Sequence, residues 1–434
     1  MKKEFQMNGK WLLANGNIYN PFLDETQQGS ILLEDGIVKY LGKDNNIPKD
    51  ANVIDCDSKM ITVGFMDLHA HFREPGREDK ETLETGSLAA LAGGFTKVCV
   101  MPNTNPPLDS PESIRFIVEK ASNLPIDIYP IGAITNGQKG QNLSEISEMI
   151  NAGAVAISDD GVPVKNGQIL RYALEYSKMC GITVINHSED EDIRADGVMN
   201  ESSMSTNLGL PGNPDYAESV MIFRDLSIAE FVDGKIHIPH VSTAKSVEVI
   251  KYFKDKGVNV TAEVSPHHLG LTENRLSEFD TNAKVAPPLR SEKDRLALIQ
   301  GLKDGIIDCV ATDHAPHTIE EKEADFIQAP FGMIGLESAF GITHTVMTNN
   351  GASTEDVVRW LTDAPMKIMN FKLKAFETGK KADITIIDPQ EKWIFSKEHV
   401  HSRSKNSPMY NMEFTGRVIT TISGNIGFGE IISS

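Results

Sequence analysis

Residues 61–76 read ITVGFMDLHAHFREPG, and this stretch predicts both a buried strand and a functional site. The residues before Asp67 are uncharged and mostly apolar, as expected of a strand inside a globular protein. His69 and His71 follow, and side chains two positions apart on a strand point to the same face. Neutral imidazole is a common ligand of divalent metals, so both rings could bind one ion. A lone His-x-His pair is about as often a surface feature, so the rest of the chain must decide.

The composition is that of a globular protein with an acidic surface. The chain has 434 residues, is 40% hydrophobic and 24% charged, and carries a net charge of −19. This charge argues against nucleic acid or an anionic membrane as partner, but leaves room for a small anionic substrate in a locally basic site. We see neither an apolar signal core nor a run of the roughly 18 apolar residues that a membrane helix needs. The 4 cysteines have no C-x-x-C spacing, which predicts reduced thiols in a cytoplasmic protein.

Both ends of the chain are rich in strand signals. An Asp-Gly pair at residues 35–36 separates two apolar runs, which predicts a hairpin. Residues 382–389 and 416–425 are short β-branched runs bounded by Gly, Pro or Asn. We therefore expect residues 1–60 and 371–434 to form one small β-sandwich together.

The central part, residues 61–370, alternates between apolar runs and helix-like segments. The predicted strands lie at about residues 61–67, 97–101, 126–134, 153–158, 182–186, 235–240, 258–264 and 306–312. Regular alternation of strands and helices predicts a parallel sheet that closes into a TIM-like (β/α)₈ barrel.

Polar side chains stand where the predicted strands end. In a barrel these ends meet on one rim, and catalytic groups lie there. The strand-end residues are His69, His71 and Arg73 after the first strand, Asn103 after the second, Asp159 and Asp160 after the fourth, His187 after the fifth, His240 after the sixth, and Asp313, His314 and His317 after the eighth. Four of these histidines and at least two of the carboxylates are already more ligands than one catalytic zinc takes, since such a zinc has three protein ligands and an open position. They indicate two metal ions about 3.5–4 Å apart with a shared carboxylate. Nitrogen-rich donors favour Zn²⁺, with Mn²⁺ and Co²⁺ as alternatives.

Eight short motifs give these residues a family resemblance. They are, in chain order, HAHFREPG, MPNT, SDDGV, HSED, HVSTAKSV, APPLR, TDHAPH and APFG. Together they resemble the long, type I dihydroorotases of the amidohydrolase superfamily over about residues 54–335, and more weakly at GKKADITIID. The resemblance implies reversible cyclisation of N-carbamoyl-L-aspartate to L-dihydroorotate and water, in pyrimidine (UMP) biosynthesis. It also implies two zinc ions per chain, a homodimer, and a possible association with aspartate transcarbamoylase.

The resemblance further implies a role for each metal ligand. His69 and His71 would bind the first metal, and His187 and His240 the second. Asp313 would complete the first metal site and act as the catalytic acid and base.

Asp160 would bridge the two metals. Many members of the superfamily bridge them with a carboxylated lysine, but the fourth strand has no lysine before Lys165. A carboxylate bridge is therefore expected, with Asp159 as the fallback.

The resemblance also implies substrate contacts. The expected contacts are His71, Arg73, Asn103, Ala286, His317, Phe331 and Gly332, with Arg73, Asn103 and His317 on the substrate carboxylate. The loop from His317 to Gly332 would close over the ring. Ala286 departs from the family pattern, which has asparagine there, and this departure concerns the substrate pocket and not the metal site.

The other histidines have weaker claims. We expect His237 to face away from the site, and His314 to support Asp313 from the neighbouring position. A site role is less expected for His267 and His268. We expect none for His344, His399 and His401. Glu189 and Asp190 would orient His187 or cap a helix.

Two other functions stay open at this stage. An allantoinase or hydantoinase would share the barrel and the His-x-His pair, but such enzymes resemble a lysine pattern on the fourth strand that is absent here. A non-catalytic dihydroorotase-like subunit that supports a transcarbamoylase would lose metal ligands, whereas this chain keeps the set.

Overall fold

The computed structural model of the protein describes residues 2–43, 48 and 50–431. Its strands are β1 (Lys3–Gln6), β2 (Lys10–Asn20), β3 (Glu25–Glu34), β4 (Ile37–Gly42), β5 (Asn52–Asp55), β6 (Met60–Thr62), β7 (Phe65–Ala70), β8 (Phe95–Val100), β9 (Asp127–Gly132), β10 (Ala156–Ser158), β11 (Thr183–Ile185), β12 (Met199–Asn200), β13 (Gly212–Asn213), β14 (Ile236–Ile238), β15 (Val260–Val264), β16 (Cys309–Val310), β17 (Asp383–Ile394), β18 (Glu413–Ser423) and β19 (Ile426–Gly429). Its α-helices are α1 (Leu83–Gly93), α2 (Pro111–Ala121), α3 (Ile146–Ala152), α4 (Gly167–Cys180), α5 (Glu191–Arg194), α6 (Ser203–Leu208), α7 (Tyr216–Val232), α8 (Ala244–Asp255), α9 (Pro266–Gly270), α10 (Glu292–Lys303), α11 (Ile319–Lys322), α12 (Ala339–Asn349), α13 (Thr354–Leu361) and α14 (Asp363–Ile368).

Parallel strands form the barrel in the order β7-β8-β9-β10-β11-β14-β15-β16. A backbone bridge between Ala70 and His314 connects the two ends of this sheet, and the amide of His71 donates to the carbonyl of His314 at 2.8 Å. Most strand residues are buried, because the barrel core lies on one face and helices cover the other. The predicted (β/α)₈ barrel is confirmed.

Side-chain caps start the helices that follow the strand-end loops. Thr82, Ser110, Asn166 and Thr243 each accept a hydrogen bond from a backbone N–H in the first turn of α1, α2, α4 and α8. Such caps satisfy donors that a helix leaves unpaired, so each helix begins at a defined residue. The loops that carry the site are thereby fixed at both ends.

Strands from both termini form a second sheet, in the order β1-β19-β18-β17-β6-β2-β3-β4, with β5 paired to β2. The turn at residues 35–36 connects β3 and β4, as predicted. A bridge between Ile37 and Lys381 brings the edge strand β4 back to the start of β17, so the sheet curls around its own apolar core. The strands of both chain ends thus form one small β structure together around that core, as predicted.

The predicted strand 61–67 is two strands in the structure. Residues of β6 pair with β2 and β17 in the terminal sheet, whereas β7 begins the barrel. Gly64 lies between them, where a β-carbon would collide with the side chains of Thr96 and Asp383. The predicted boundary between residues 60 and 61 falls inside β6, and the division of the chain into domains stays a prediction.

None of the helices in the described part of the chain is long and apolar enough to span a membrane. The cysteines Cys56, Cys99, Cys180 and Cys309 are all free thiols, and all but Cys180 are buried.

Candidate active site

The candidate active site is a cavity of about 300 Å³ on the rim formed by the C-terminal strand ends. Every residue that the sequence nominated for metal or substrate lines it, except His69, which is fully buried beside it. Two further charged residues line the wall, Glu189 and Arg194. From the sequence, Glu189 was expected only to orient His187 or to cap a helix, and Arg194 was not predicted.

Asp160 lies between two histidine pairs and turns one carboxylate oxygen to each. Its Oδ2 is 3.3 Å from Nε2 of His69 and 3.5 Å from Nε2 of His71. Its Oδ1 is 3.7 Å from Nδ1 of His187 and 3.5 Å from Nε2 of His240. A carboxylate that bridges two metals has this arrangement.

Asp159, the fallback bridge, points elsewhere. Its carboxylate accepts hydrogen bonds from the backbone amide of Thr135 at 3.0 Å and from the hydroxyl of the same residue. The structure therefore brings Asp160, and not Asp159, to the histidines.

Asp313 faces the first histidine pair. Its Oδ1 is 3.2 Å from Nε2 of His71 and 3.6 Å from Nε2 of His69. Burial would raise the pKa of Asp313, but His71, His69 and His240 outweigh that effect and hold the pKa below its usual value. Asp313 is thus an ionised carboxylate at neutral pH.

The outer nitrogens of the first histidine pair are both engaged. Nδ1 of His69 donates to Glu263 at 2.8 Å, and Nδ1 of His71 donates to Oδ1 of Asn103 at 2.8 Å. These bonds orient the rings and direct each Nε2 to Asp160, as the outer partners of metal-bound histidines do. Asn103 therefore supports His71, which is a contact that the sequence did not anticipate.

Glu263 also explains His237. The second oxygen of Glu263 accepts from Nε2 of His237 at 3.0 Å, and Nδ1 of His237 contacts the hydroxyl of Thr261 at 2.8 Å. His237 therefore faces away from the cavity. The signal that could have revealed Glu263 is a single charged residue in the otherwise uncharged strand β15.

The second histidine pair is held through its backbone instead. Its loops follow β11 and β14 and are tied to two buried carboxylates of α7. Glu218 accepts from the backbone amides of Ser242 and Thr243, and Asp225 accepts from the side chains of Asn186 and Ser188. The two rings contact each other, with Nδ1 of His187 3.0 Å from Nε2 of His240. Their outer nitrogens have weaker partners: Nε2 of His187 is 3.8 Å from Glu189, and Nδ1 of His240 has no hydrogen-bond partner in the described structure.

The donor atoms fit a pair of metal ions. Two groups of three residues, each with donor atoms within 4.8 Å of one another, are His69, His71 and Asp160, and Asp160, His187 and His240. Nε2 of His69 and Oδ1 of Asp160 are buried without a hydrogen-bond partner among the described residues, which is unfavourable unless a cation binds them. Nitrogen and carboxylate donors at this spacing suit a zinc-like ion with bonds of about 2.0–2.2 Å.

The charges at the centre also favour a cation. Burial lowers the pKa of His187, but Asp160 and Glu189 raise it to about 10. The same carboxylate of Asp160, with Glu263 and Asp313, raises the pKa of His69 well above its usual value despite burial. The carboxylates thus stabilise positive charge here.

The substrate side of the cavity is basic. Arg73 is half-buried, and its Nε donates to the carbonyl of Pro316 at 3.2 Å, which leaves the two terminal nitrogens for other partners. Burial lowers the pKa of Arg73 to about 10, so it stays charged at neutral pH. His317 lies beside it, with Nε2 3.4 Å from Nη2 of Arg73. Burial and the cations Arg73 and Lys80 lower the pKa of His317 far below its usual value, so this ring is neutral.

The end of the loop after His317 lines the cavity through Pro330, Phe331 and Gly332, and two buried lysines hold the loop. Nζ of Lys284 donates to the carbonyls of Phe326, Ile327 and Ala329 at 2.7–2.9 Å. Nζ of Lys322 donates to the carbonyls of Thr281 and Pro330 at 3.0 and 2.8 Å.

The two expected backbone contacts of this loop are engaged within the protein. The carbonyl of Phe331 accepts from Nε2 of His317 at 2.8 Å, and the amide of Gly332 donates to the carbonyl of Lys284 at 2.9 Å. A substrate would have to replace these bonds to use either group.

The comparisons with known proteins agree with this geometry. Residues 58–246 match a family model described as dihydro-orotase-like. A dihydroorotase from Acetivibrio thermocellus is 44% identical over 418 residues, which cover 96% of this chain and 98% of that protein. A dihydroorotase from Desulforapulum autotrophicum is 42% identical over 420 residues, covering 96% and 97%. The chain belongs to the dihydroorotase family.

Solved structures show the same fold in more distant enzymes. An L-hydantoinase (dihydropyrimidinase) from Arthrobacter aurescens has a TM-score of 0.83 at 25% identity, covering 97% of this chain and 96% of that one. A dihydropyrimidinase from Brevibacillus agri has a TM-score of 0.83 at 24% identity, covering 98% and 96%. Sequence identity therefore places the chain with the dihydroorotases, and the hydantoinases share its architecture. The chain is a metal-dependent cyclic amidohydrolase.

Within this dihydroorotase-family site, Ala286 lines the cavity and precedes Pro287. His268 donates from Nε2 to the carbonyl of Pro287 at 3.1 Å. Its neighbour His267 is buried near His240, and burial lowers the pKa of His267 to about 4. Neither ring lines the cavity.

The remaining histidines make contacts elsewhere. His314 does not contact the carboxylate of Asp313; its Nε2 is 3.3 Å from Glu81 and its Nδ1 accepts from the amide of Gly335. His344, His399 and His401 lie outside the cavity. Asp190 caps α5 through hydrogen bonds from Asp192 and Ile193.

Proposed function

We propose that the chain catalyses the reversible cyclisation of N-carbamoyl-L-aspartate to L-dihydroorotate and water, in pyrimidine (UMP) biosynthesis. The observation that carries this proposal is the position of Asp160, which turns one oxygen toward each of two histidine pairs in the cavity that Arg73 also lines. The dihydroorotases at 42–44% identity support it over nearly the whole chain. Its motifs and length fit the long, type I class.

We propose two Zn²⁺ ions per chain, with Mn²⁺ or Co²⁺ as alternatives. His69, His71 and Asp313 would hold the first ion, His187 and His240 the second, and Asp160 both. When bound, such ions polarise a carbonyl group and acidify water.

Asp313 would carry the proton. In hydrolysis, its carboxylate accepts a proton from the attacking water and delivers it to the departing ring nitrogen, and in cyclisation the transfers run in reverse. Its low pKa suits the first of these steps, because the group is ionised when water arrives.

Arg73 would bind the substrate carboxylate through its two terminal nitrogens, which the bond to Pro316 leaves available. This contact holds the carbonyl carbon in place for attack. The amide nitrogen of Asn103 and the ring of His317 would complete the pocket, with His71, Ala286, Phe331 and Gly332 as its other walls.

A hydantoinase-like activity is the second candidate, because of the shared fold and because Ala286 replaces the expected asparagine. The test compares turnover of dihydroorotate, allantoin and dihydrouracil by purified, zinc-loaded protein. We expect turnover of dihydroorotate far above that of the other two. Preferential turnover of a ring that lacks a carboxylate would overturn the assignment. The alternative of a non-catalytic partner of a transcarbamoylase predicts no turnover at all.

We further propose a homodimer in the cytoplasm, with aspartate transcarbamoylase as a possible partner. These proposals rest on the family resemblance and on the acidic composition. Sedimentation of the purified chain, alone and mixed with that transcarbamoylase, tests them.

A further inference from the structure

Three neighbouring outer helices, α4, α7 and α8, expose an unusual number of large apolar side chains. Of the 19 exposed large apolar residues in the described structure, 8 lie on these helices, which contain 14, 17 and 12 residues. We call them the aromatic face: Tyr172, Tyr176, Met179, Tyr216, Val220, Phe223, Phe231 and Tyr252. The outer face of a barrel helix is normally polar.

Side-chain contacts show that the aromatic face is continuous. The guanidinium of Arg171 on α4 lies 5.1 Å from the ring of Phe231 on α7. The rings of Phe223 on α7 and Phe253 on α8 are 5.3 Å apart. The three helices are therefore in contact with one another, and their exposed apolar residues form one surface.

Helix α7 is the centre of this surface and is apolar on both sides. Ile222 and Leu226 are buried against the barrel, while Phe223 is 51% and Phe231 is 74% exposed. A helix that is hydrophobic all round is normally covered on all sides. The described part of this chain leaves the apolar side chains on the outer side of α7 exposed, so a partner molecule would have to bury them.

We infer that a second copy of this chain covers the aromatic face, with α7 packed antiparallel against α7 of the partner across a two-fold axis. This inference rests on the proposed homodimer for the number of copies, and it identifies the surface.

The pattern along α7 is self-complementary, as a two-fold interface requires. Tyr216, Val220, Phe223, Ser227 and Phe231 follow one another at intervals of three or four residues and so share one side of the helix. In an antiparallel pair centred beside Phe223, the ends of this stripe face each other and its smallest residue, Ser227, faces a valine. All five residues of the stripe are uncharged, so this pairing brings no like charges together within it.

The charge and the area of the face also suit a second copy. The chain has a net charge of −19, but α4, α7 and α8 carry two, one and three basic residues against one, three and two acidic ones, so their charges balance. Two copies would therefore repel each other least here. The 8 side chains are 41–83% exposed. If a fully exposed side chain of this kind has a surface of about 200 Å², their exposed fractions add up to roughly 800 Å², which is the area that each partner contributes to a standard interface.

This interface would lie behind the second histidine pair. The inner side of α7 carries Glu218 and Asp225, which hold the loops of His240 and His187. Packing on the outer side would fix the helix from which both loops are held. The interface therefore supports the metal site without contributing a residue to it.

The test measures mass in solution by light scattering and sedimentation. We expect the wild type to have twice the 47.7 kDa of the chain at micromolar concentration. The double variant Phe223→Asp/Phe231→Asp should be a monomer, with its dissociation constant raised roughly a hundredfold or more. The matched control is Phe116→Asp, at an exposed aromatic on α2, and it should stay dimeric.

A cross-link tests the predicted axis in protein that keeps the native surface. In a Cys180→Ser background, Phe223→Cys should form a disulfide-linked dimer on mild oxidation, and Phe116→Cys should not. Circular dichroism confirms that each variant is folded. A monomeric wild type, a folded Asp double variant that stays dimeric, or no cross-link through Phe223→Cys would each overturn the inference. Turnover of dihydroorotate is measured separately, so failure of the proposed reaction would leave the mass result intact.

Discussion

The two histidine pairs of the site are held by different parts of the structure. His69 and His71 lie at the end of β7, and each ring has an outer hydrogen-bond partner at 2.8 Å. His187 and His240 lie on loops, and their outer nitrogens have no partner as close as that in the described chain. The first pair is oriented through its rings, and the second through its backbone.

This difference shows where each half of the site is vulnerable. A change to Glu263 acts directly on the ring of His69, whereas the corresponding support of the second pair is helix α7, through Glu218 and Asp225. Asp160 belongs to both halves, because it turns one oxygen to each. Variants on either side should therefore distinguish the two proposed metal sites.

Asp313 should give the largest effect and separate the halves most clearly. Asp313→Asn would remove the proposed proton carrier and a proposed ligand of the first metal only, since the carboxylate lies 3.2 Å from His71. We expect a loss of roughly 10²–10⁴ in kcat, the range of acid–base catalysis. Elemental analysis should still find at least one metal per chain. Near-normal turnover would assign the proton transfer to another group.

Glu263 and Glu218 provide a matched pair of tests, one for each half. Outer partners of metal ligands typically contribute about 10–100-fold in metal affinity. Glu263→Gln should lower the affinity for one metal ion to this extent, and Glu218→Gln should lower the affinity for the other. Glu189→Gln is the control, with a smaller effect, because its carboxylate is 3.8 Å from His187. Titration with a chelator measures the affinity for each metal ion in turn. The comparison fails if all three variants lower the affinity for the same metal ion equally.

A change at Arg73 should weaken use of the substrate and leave metal binding unchanged. Lysine keeps the charge but not the paired nitrogens of guanidinium. Arg73→Lys should lose about one charge-assisted hydrogen bond, roughly 1.5 kcal/mol or about tenfold in kcat/KM for dihydroorotate. Metal content should be unchanged. An equal loss with a ring that has no carboxylate would show that Arg73 does not bind that group.

The sequence predicts the histidines of the first pair better than the residues that hold either pair in place. A strand followed by His69 and His71 is a local pattern, and the barrel rim brings it to Asp160 by a general rule. Glu263 and Glu218 are far from the histidines in sequence, and only the packing of β15 and α7 brings them near. Lys284 and Lys322 were likewise not anticipated, because a charged residue gives no sign in the sequence that carbonyls will surround it.

The fold shows the same limit at smaller scale. The barrel and the curled terminal sheet follow from apolar runs and turn residues along the chain. The division of residues 61–67 between two sheets does not, because both strands are apolar and only the pairing with β2 and β17 separates them.

Ala286 should give the smallest effect, since it lines the cavity without belonging to either histidine pair. The family pattern has an amide side chain here, whereas this chain offers a methyl group and its backbone. Arg73, Asn103 and His317 all lie in the same cavity and together can satisfy one carboxylate. A neutral hydrogen bond contributes only about 0.5–1.5 kcal/mol. Ala286→Asn should therefore change kcat/KM for dihydroorotate by about tenfold at most.

The same variant can also decide between the two substrates. If the protein is adapted to dihydroorotate, its backbone near Ala286 already makes the contact, and an added amide gains little. If it is adapted to another cyclic amide, the wild type should barely turn over dihydroorotate, and Ala286→Asn should raise that activity a hundredfold or more. Kinetics with dihydroorotate and dihydrouracil on both proteins distinguish these outcomes. The second result would move the natural ligand to another cyclic amide while leaving the assignment of both histidine pairs unchanged, because Ala286 belongs to neither group of candidate metal ligands.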